Sequence, residues 1–280
     1  MAANPITATN LANYIPAIWS KEVLADVEAN LVAGALCDRS YEGYVSGGGN
    51  KIVVPHLAEI SAAAVNTATD MTLYDAVQNA TNIDIDQKYD IGVLVDDINK
   101  IQTNPKYFDK VRAKLAYGLS KQIDTSVTAL YNAFSQSVGT EGTALTETQI
   151  IDAYEYLNEA NAPASDRAWV FDPESITDLL GRDFFVKMDY VPDSVVKNGF
   201  QGRQIFGSPV YMTTNLEVIN TNYHGAAYLH KEAIALVVQL QPKFEVARIP
   251  LRHGDAIIGL CVWGVKEMRD TFGVWIKTRS

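Results

Sequence analysis

The feature that most constrains this chain is one very long amphipathic stretch, preceded by a segment with little of its own to bury. Phe108, Val111, Leu115, Leu119, Ile123, Val127, Leu130 and Phe134 recur every three or four residues, which is one helical stripe. Asn104 suits an N-cap, and Pro105 suits the first helical position, where its missing N–H costs nothing. The first strong breaker downstream is Val138-Gly139-Thr140-Glu141-Gly142, so the spacing predicts a helix over Pro105–Ser137. At about 1.5 Å per residue that helix is roughly 50 Å long, wider than an ordinary small domain. Such a helix is a strut, and a strut points to an assembly.

With 280 residues and 48% hydrophobic content, the chain can bury one large core or two modest ones. It has no apolar run long enough to span a bilayer, and no basic-then-apolar leader at Met1-Ala2-Ala3-Asn4-Pro5. Cys37 and Cys261 stand far apart among apolar neighbours and read as reduced core thiols, as in a protein made in the cytosol. The net charge of −10 is unevenly spread. Residues 1–104 carry 5 basic and 13 acidic side chains, residues 139–225 repeat that balance, and 105–138 and 226–280 are each basic by three. No dense cationic stripe with interleaved aromatics appears, so sequence-specific nucleic-acid binding is unsupported.

Along the chain, residues 10–36 read as helical around Pro16. Ser46-Gly47-Gly48-Gly49-Asn50 then forms a flexible or turn-forming break before the strand-like Lys51-Ile52-Val53-Val54-Pro55. Residues 58–80 hold few large apolar side chains. Ile83-Asp84-Ile85-Asp86 and Tyr89–Val95 read as alternating strands, so 45–95 is expected to be a long hairpin with a loose tip. A two-stranded ribbon is marginal alone in water, so it should lie on a neighbouring subunit or fold back on its own chain.

After the strut, Thr146 and Gln149 make a capping box opening a helix with Ile150, Tyr154 and Leu157 on one face. Arg167–Phe171 reads as a strand, and Asp172-Pro173-Glu174 starts a helix stopped by Gly181. Residues 182–202 are irregular. Strands are expected at Ile205–Met212 around a turn, Ala226–Leu229, Ile234–Gln239, Phe244–Ile249, Ile257–Met268 and Gly273–Lys277. This alternation is that of an α+β protein.

Catalytic chemistry is hard to find. His56, His224, His230 and His253 share no metal spacing with one another or with a cysteine. His230 reads as a helix cap or satisfied buried histidine, and His253-Gly254-Asp255 as a tight turn. Asp84, Asp86 and Asp90 alternate on an extended stretch, unlike the curved loop that binds calcium, and read as a solvated acidic face. Gly207-Ser208-Pro209 lacks the nucleophile-elbow pattern, and Gly47-Gly48-Gly49-Asn50-Lys51 leads into a strand where a phosphate loop leads into a helix. The chain reads as non-enzymatic, with no cofactor and no metal.

Four stretches carry a likeness. They are Ile15-Pro16-Ala17-Ile18-Trp19-Ser20, Asn198–Tyr211 with Thr213-Thr214-Asn215-Leu216 behind it, Ala227–Gln239, and Ile258–Lys266 continuing to Phe272–Ile276. In this order and spacing the chain resembles the major capsid proteins of tailed bacteriophages, the Hong Kong 97-type fold. The resemblance implies an α+β architecture with an N-terminal arm at 1–42, an extended hairpin loop at 43–100, and a spine helix opening a peripheral domain at 101–141. An apical α+β domain at 142–241 and returning peripheral strands at 242–280 complete it. It also implies a structural role, self-assembly through hexamers and pentamers into an icosahedral head enclosing double-stranded DNA, and a virion location after assembly in the host cytoplasm. Scaffolding, portal and decoration proteins are possible partners, contact with packaged DNA is non-specific, and no membrane is involved.

The expected inter-subunit contacts are Tyr14, Ile15, Ile18 and Trp19 in the arm, Gly47, Gly48 and Gly49 as a hinge, and Ile83, Ile85 and Tyr89 in the hairpin. The start at Met1 without a long charged helical leader suggests a separate scaffold or unaided assembly. Some relatives crosslink neighbours through a hairpin lysine, but Lys51 and Lys88 lie away from the expected tip, so crosslinking is not expected. An encapsulin-type nanocompartment of the same fold is the nearest alternative; a soluble enzyme or binding protein, or a tail-fibre protein, are more distant ones.

Overall fold

The fold is built around two long antiparallel strands late in the chain, joined by a tight turn. In a computed structural model describing residues 32–45, 48–57, 78–96, 106–181, 204–219 and 223–279, β10 (Ile234–Ile249) runs against β11 (Gly254–Glu267). The turn between them ends on His253, whose φ of 46° lies in the left-handed region, as the tight-turn reading of His253-Gly254-Asp255 requires. The expected pair Ile234–Gln239 and Phe244–Ile249 is one strand, its register shifting between Val238 and Lys243. A bulge of this kind keeps the ladder going while the strand bends.

The third strand of that sheet is β3 (Gln87–Asp96), antiparallel to β11. This corrects the expected 45–95 hairpin. The hairpin consists of β1 (Lys51–Leu57) and β2 (Gln78–Asp84), registered from Lys51↔Asp84 to Leu57↔Gln78. Tyr89–Val95 leaves it because β11 offers a longer ladder and apolar cover: Tyr89 stacks on Trp263 at 4.9 Å. Asp84, Asp86 and Asp90 are all exposed but belong to different strands and a link, not to one face.

The long helix is shorter than its periodicity predicts. α1 spans Lys106–Thr128, 23 residues and about 35 Å. Its apolar stripe does continue, since Val127, Tyr131, Phe134 and Val138 are all buried. The backbone changes beneath them: a 3-10 turn at Tyr131–Ala133, an extended Phe134, then β4 (Gln136–Val138) pairing parallel to β12 (Gly273–Lys277). A free sheet edge competes with the last helical turns and wins, because β4 gains a ladder and the same side chains stay buried. Asn104 and Pro105 lie outside the described residues, as does nearly all of the helix expected over 10–36, whose described end is a 3-10 turn at Ala33–Ala35.

The remaining elements form one seven-stranded mixed sheet ordered β4-β12-β9-β5-β7-β6, with β8 (Val218–Ile219) pairing β9. Here β9 is Tyr223–His230, β5 is Arg167–Phe171, β7 is Ser208–Met212 and β6 is Gln204–Ile205. Helices α2 (Glu147–Glu159) and α3 (Pro173–Leu180) open as expected. Both halves of the Thr146–Gln149 capping box are formed, and Asp172 accepts from the Glu174 and Ser175 N–H groups. The strand and turn at Ile205–Met212 is a tight hairpin with φ of 49° at Phe206 and 78° at Gly207. At the centre Trp169 stacks on Tyr228 at 3.7 Å and on Phe171 at 5.6 Å, all three fully buried. Burial of such rings supplies about 1.5–3 kcal/mol each.

Candidate subunit interface

The described part of the hairpin is held at its base on one side and exposed on the other. Ile83 (0% exposed) and Ile85 (4%) sit in a small cluster with Val45, Ala235 and Val237, joined at its margin by Ile52, Val54 and Val262. Two hydrogen bonds pin the same corner, Ile85 N–H donating to Asn50 O at 2.9 Å and the Gln239 side-chain Nε2 donating to Gly49 O at 2.8 Å. The β1–β2 ribbon crosses β11 at Gly264, where any Cβ would collide with the Asp84 carbonyl and the Ile85 backbone. That approach requires glycine. Between Ile52 and Val54, Val53 faces the other way and is 56% exposed opposite the polar Asn82, and Pro55 and His56 beyond it are exposed too.

The three-stranded sheet has two unlike faces. Its inner face turns Ile91, Phe244, Cys261 and Trp263 toward α1, whose Gly118 passes so close that a Cβ would stand 3.1 Å from Ile91 Cδ1. Residues on the other face alternate with these. Its first part, at Val262 and Gly264, is roofed by the chain's own hairpin base. Beyond that roof Ile258, Leu260 and Leu94 are 42%, 43% and 40% exposed on adjacent strands. They are bordered by the Lys243–Glu245 ion pair at 2.8 Å and by Asp90. Leu251, 95% exposed, caps the tip of the sheet, and Tyr44, 78% exposed, projects beside the hairpin base. An apolar row ending in a charged border has the anatomy of a protein contact.

Of the residues singled out from sequence, Tyr14, Ile15, Ile18, Trp19 and Gly47 lie outside the described residues. Gly48 and Gly49 have φ of 99° and 120°, the left-handed region that favours glycine, with open space around them. Ile83 and Ile85 are buried within the chain, and Tyr89 is spread over Trp263 with 37% of its surface exposed. The sequence reading passed over Ile258, Leu260, Leu94 and Gly264. Ile258 and Leu260 stand at every second position, a signal present in the sequence, but alternation does not say which face stays bare.

Two polar clusters, one of them buried, tie the surfaces together. Asp124 on α1, 3% exposed, accepts from Gly34 N–H at 3.0 Å and from the Asn215 amide at 3.2 Å. Burial pushes its carboxyl above the ordinary range, opposed by those hydrogen bonds. It thereby fastens the end of the N-terminal segment and the 213–216 loop to the helix. Where β11 leaves the sheet, burial and the neighbouring Asp270 carboxyl push Glu267 up to about 7. Burial also works against the Asp270 carboxylate, but hydrogen bonds from Ser135, its N–H at 2.7 Å, and from Glu267 hold it below the usual range.

Little else resembles chemistry. Burial pushes the Cys37 thiol up to about 12, so it is not a nucleophile at neutral pH. His230 caps the turn at Lys231–Ala233 by accepting from Glu232 N–H at 3.2 Å, as a capping histidine should. No cluster of metal-ligating side chains occurs among the described residues, and no helix among them is long and apolar enough to cross a membrane.

No family's sequence profile and no curated protein matches this chain. Solved structures do. A chain of Mycobacterium phage Che8 is 23% identical with a TM-score of 0.80, over 94% of this chain and 97% of that one. The capsid structure of the cyanophage P-SCSP1u is 16% identical with a TM-score of 0.75, over 97% and 95%. The asymmetric unit of the mature capsid of bacteriophage PhiM1 is 12% identical with a TM-score of 0.70, over 94% and 91%. The chain therefore has, over nearly its whole length, the α+β Hong Kong 97-like fold of phage capsid chains.

Proposed function

We propose that this chain is a major capsid protein, the repeating structural subunit of an icosahedral phage-type head, acting through contact and not catalysis. The observation that carries the reading is the end-to-end likeness to chains of assembled capsids. The distribution of apolar surface supports it: among the described residues, Val53 on the hairpin and Ile258 and Leu260 on the sheet are exposed apolar side chains. In this reading residues 1–42 form the arm, 43–100 carry the hairpin, 101–141 the spine, 142–241 the apical domain and 242–280 the returning strands. The hairpin of one subunit covers the bare sheet face of the next. Repetition of such a heterologous contact closes rings of five and six, and then a shell. Tyr14, Ile15, Ile18 and Trp19 add apolar anchors, and Gly47, Gly48 and Gly49 let the hairpin change angle between the two ring settings. A scaffold, a portal and a packaged duplex are the remaining partners of this reading, and the virion, filled in the host cytoplasm, is its destination.

The test is the size of the purified chain, alone and with its neighbouring genes co-expressed, by light scattering and negative-stain microscopy. Capsomers or closed particles tens of nanometres across are expected. A monomer that stays inert in both settings would overturn the reading, and particles that fill with a protein cargo in place of nucleic acid would convert it to a nanocompartment shell.

A further inference from the structure

At the β6 edge of the seven-stranded sheet, the chain keeps an aromatic side chain where its backbone would prefer another residue. β6 and β7 pair at Gln204↔Pro209 and Ile205↔Ser208, so Phe206 and Gly207 are the two residues of a hairpin turn. Both have positive φ, 49° and 78°. Such a turn favours asparagine and glycine, and a bulky side chain in the left-handed region is an outlier. Phe206 stands there all the same, its ring 42% exposed and 4.7 Å from the ring of Tyr154 on α2. Strain of this kind persists where the side chain has a task.

Helix α2 adds a second local cost beside the first. Ile151, 48% exposed, lies one turn before Tyr154. Its row along the helix, at a spacing of four, is Glu147, Ile151, Glu155 and Glu159. Like charges at that spacing repel. Glu159 stands in the last turn, where the helix dipole favours a cation and α2 has none. None of the three carboxylates is in an ion pair among the described residues. The nearest cation, Arg167, lies 5.8 Å from the Tyr154 ring but is turned inward, donating to Asn158 Oδ1, Ala162 O and Pro163 O. Solvent therefore meets an apolar centre of Ile151, Tyr154 and Phe206 with a carboxylate border, which is the anatomy of a protein contact.

We infer that the Ile151–Tyr154–Phe206 surface docks a separate protein, through a basic segment that carries an apolar anchor. The border supplies the charge argument. A cationic flank would turn the repulsion between Glu155 and Glu159 into attraction, while the anchor covers Phe206 and Ile151. A second copy presenting its own 139–225 region is disfavoured, because that region holds 13 acidic and 5 basic side chains and would set like charge against like. The same border repels a nucleic acid. Within the shell reading above, the surface then stays open once subunits have closed and the partner joins from solution. The docking chemistry itself does not depend on that reading.

Phe206→Asn separates this role from a structural one. Asparagine suits the turn better than phenylalanine, so the full-length variant should melt no lower than the parent chain. A lower melting temperature would make Phe206 part of the subunit's own packing and overturn the inference. Binding is read by fluorescence anisotropy with three labelled peptides: a leucine–tryptophan pair flanked on both sides by lysines, the same pair flanked by glutamates, and the lysine peptide with the pair replaced by serines. The first should bind the parent chain at least about tenfold more tightly than the other two, weaken as salt rises, and lose about tenfold or more on Phe206→Asn. Absent binding, equal binding of the three peptides, or equal binding to parent and variant overturns it. Hydroxyl-radical footprinting of Ile151, Tyr154 and Phe206 then compares free subunits with closed particles, and all three should react in both. Protection that appears on closure assigns the surface to a second copy, and protection already in the free subunit assigns it to the chain itself; either overturns the separate partner. A chain that closes no particles fails the capsid reading alone, and the peptide result then decides.

Discussion

Replacing Gly264 by alanine should detach the hairpin from the sheet while leaving the rest of the molecule folded. The added methyl would collide with the Asp84 carbonyl and the Ile85 Cα, both backbone atoms, so no rotamer change relieves it. Relief requires lifting the ribbon off β11, which opens the cluster of Ile83, Ile85, Val45 and Val237. Overpacking of this kind costs about 1–3 kcal/mol. At about 2–4 °C per kcal/mol for a chain of this size class, the melting temperature should fall by roughly 2–12 °C. Gly43→Ala is the control, since a Cβ there meets nothing within 4 Å. Thermal unfolding followed by circular dichroism measures the first effect. Light scattering under assembly conditions measures the second, which should be larger, because a displaced hairpin cannot reach its seat on the next subunit. Gly264→Ala shells of normal size and melting temperature would refute both the close approach and the role assigned to the hairpin base.

Ile258→Glu with Leu260→Glu should leave the subunit's melting temperature nearly unchanged, because both side chains are 42–43% exposed, yet abolish particles by light scattering. Asp124→Ala should lower stability to chemical denaturant by about 1–3 kcal/mol, since it strands the Gly34 N–H and the Asn215 amide in a buried site. Glu267 binds its proton more tightly in the folded chain, so its contribution is present below the ordinary carboxyl range and is lost as pH rises toward about 7. Melting temperatures at pH 5 and pH 8 should therefore differ less for Glu267→Gln than for the parent chain; an equal difference would show that Glu267 does not carry this pH dependence.

What the sequence alone determined is what local chemistry controls. The Thr146–Gln149 box, the Asp172 cap with Pro173 and the Phe206–Gly207 turn all bond within a few residues of themselves, and each formed where the sequence put it. The order of arm, hairpin, strut and returning strands sufficed to indicate the capsid fold. Tertiary structure decided the rest, because the competing partners there are distant. Whether Tyr89–Val95 pairs with β2 or with β11 depends on a strand some 170 residues later. Whether Ser135–Val138 continues α1 or joins a sheet depends on β12, and the apolar stripe is satisfied by either. Ile83 and Ile85 look like contact residues in an isolated ribbon and become core only once Ala235 and Val237 arrive beneath them. Ile258 and Leu260 look like core in a buried strand but stay exposed, because among the described residues the hairpin base covers that face only at Val262 and Gly264. Alternation fixes which side chains share a face; only the packing of remote segments fixes which face is left for another molecule.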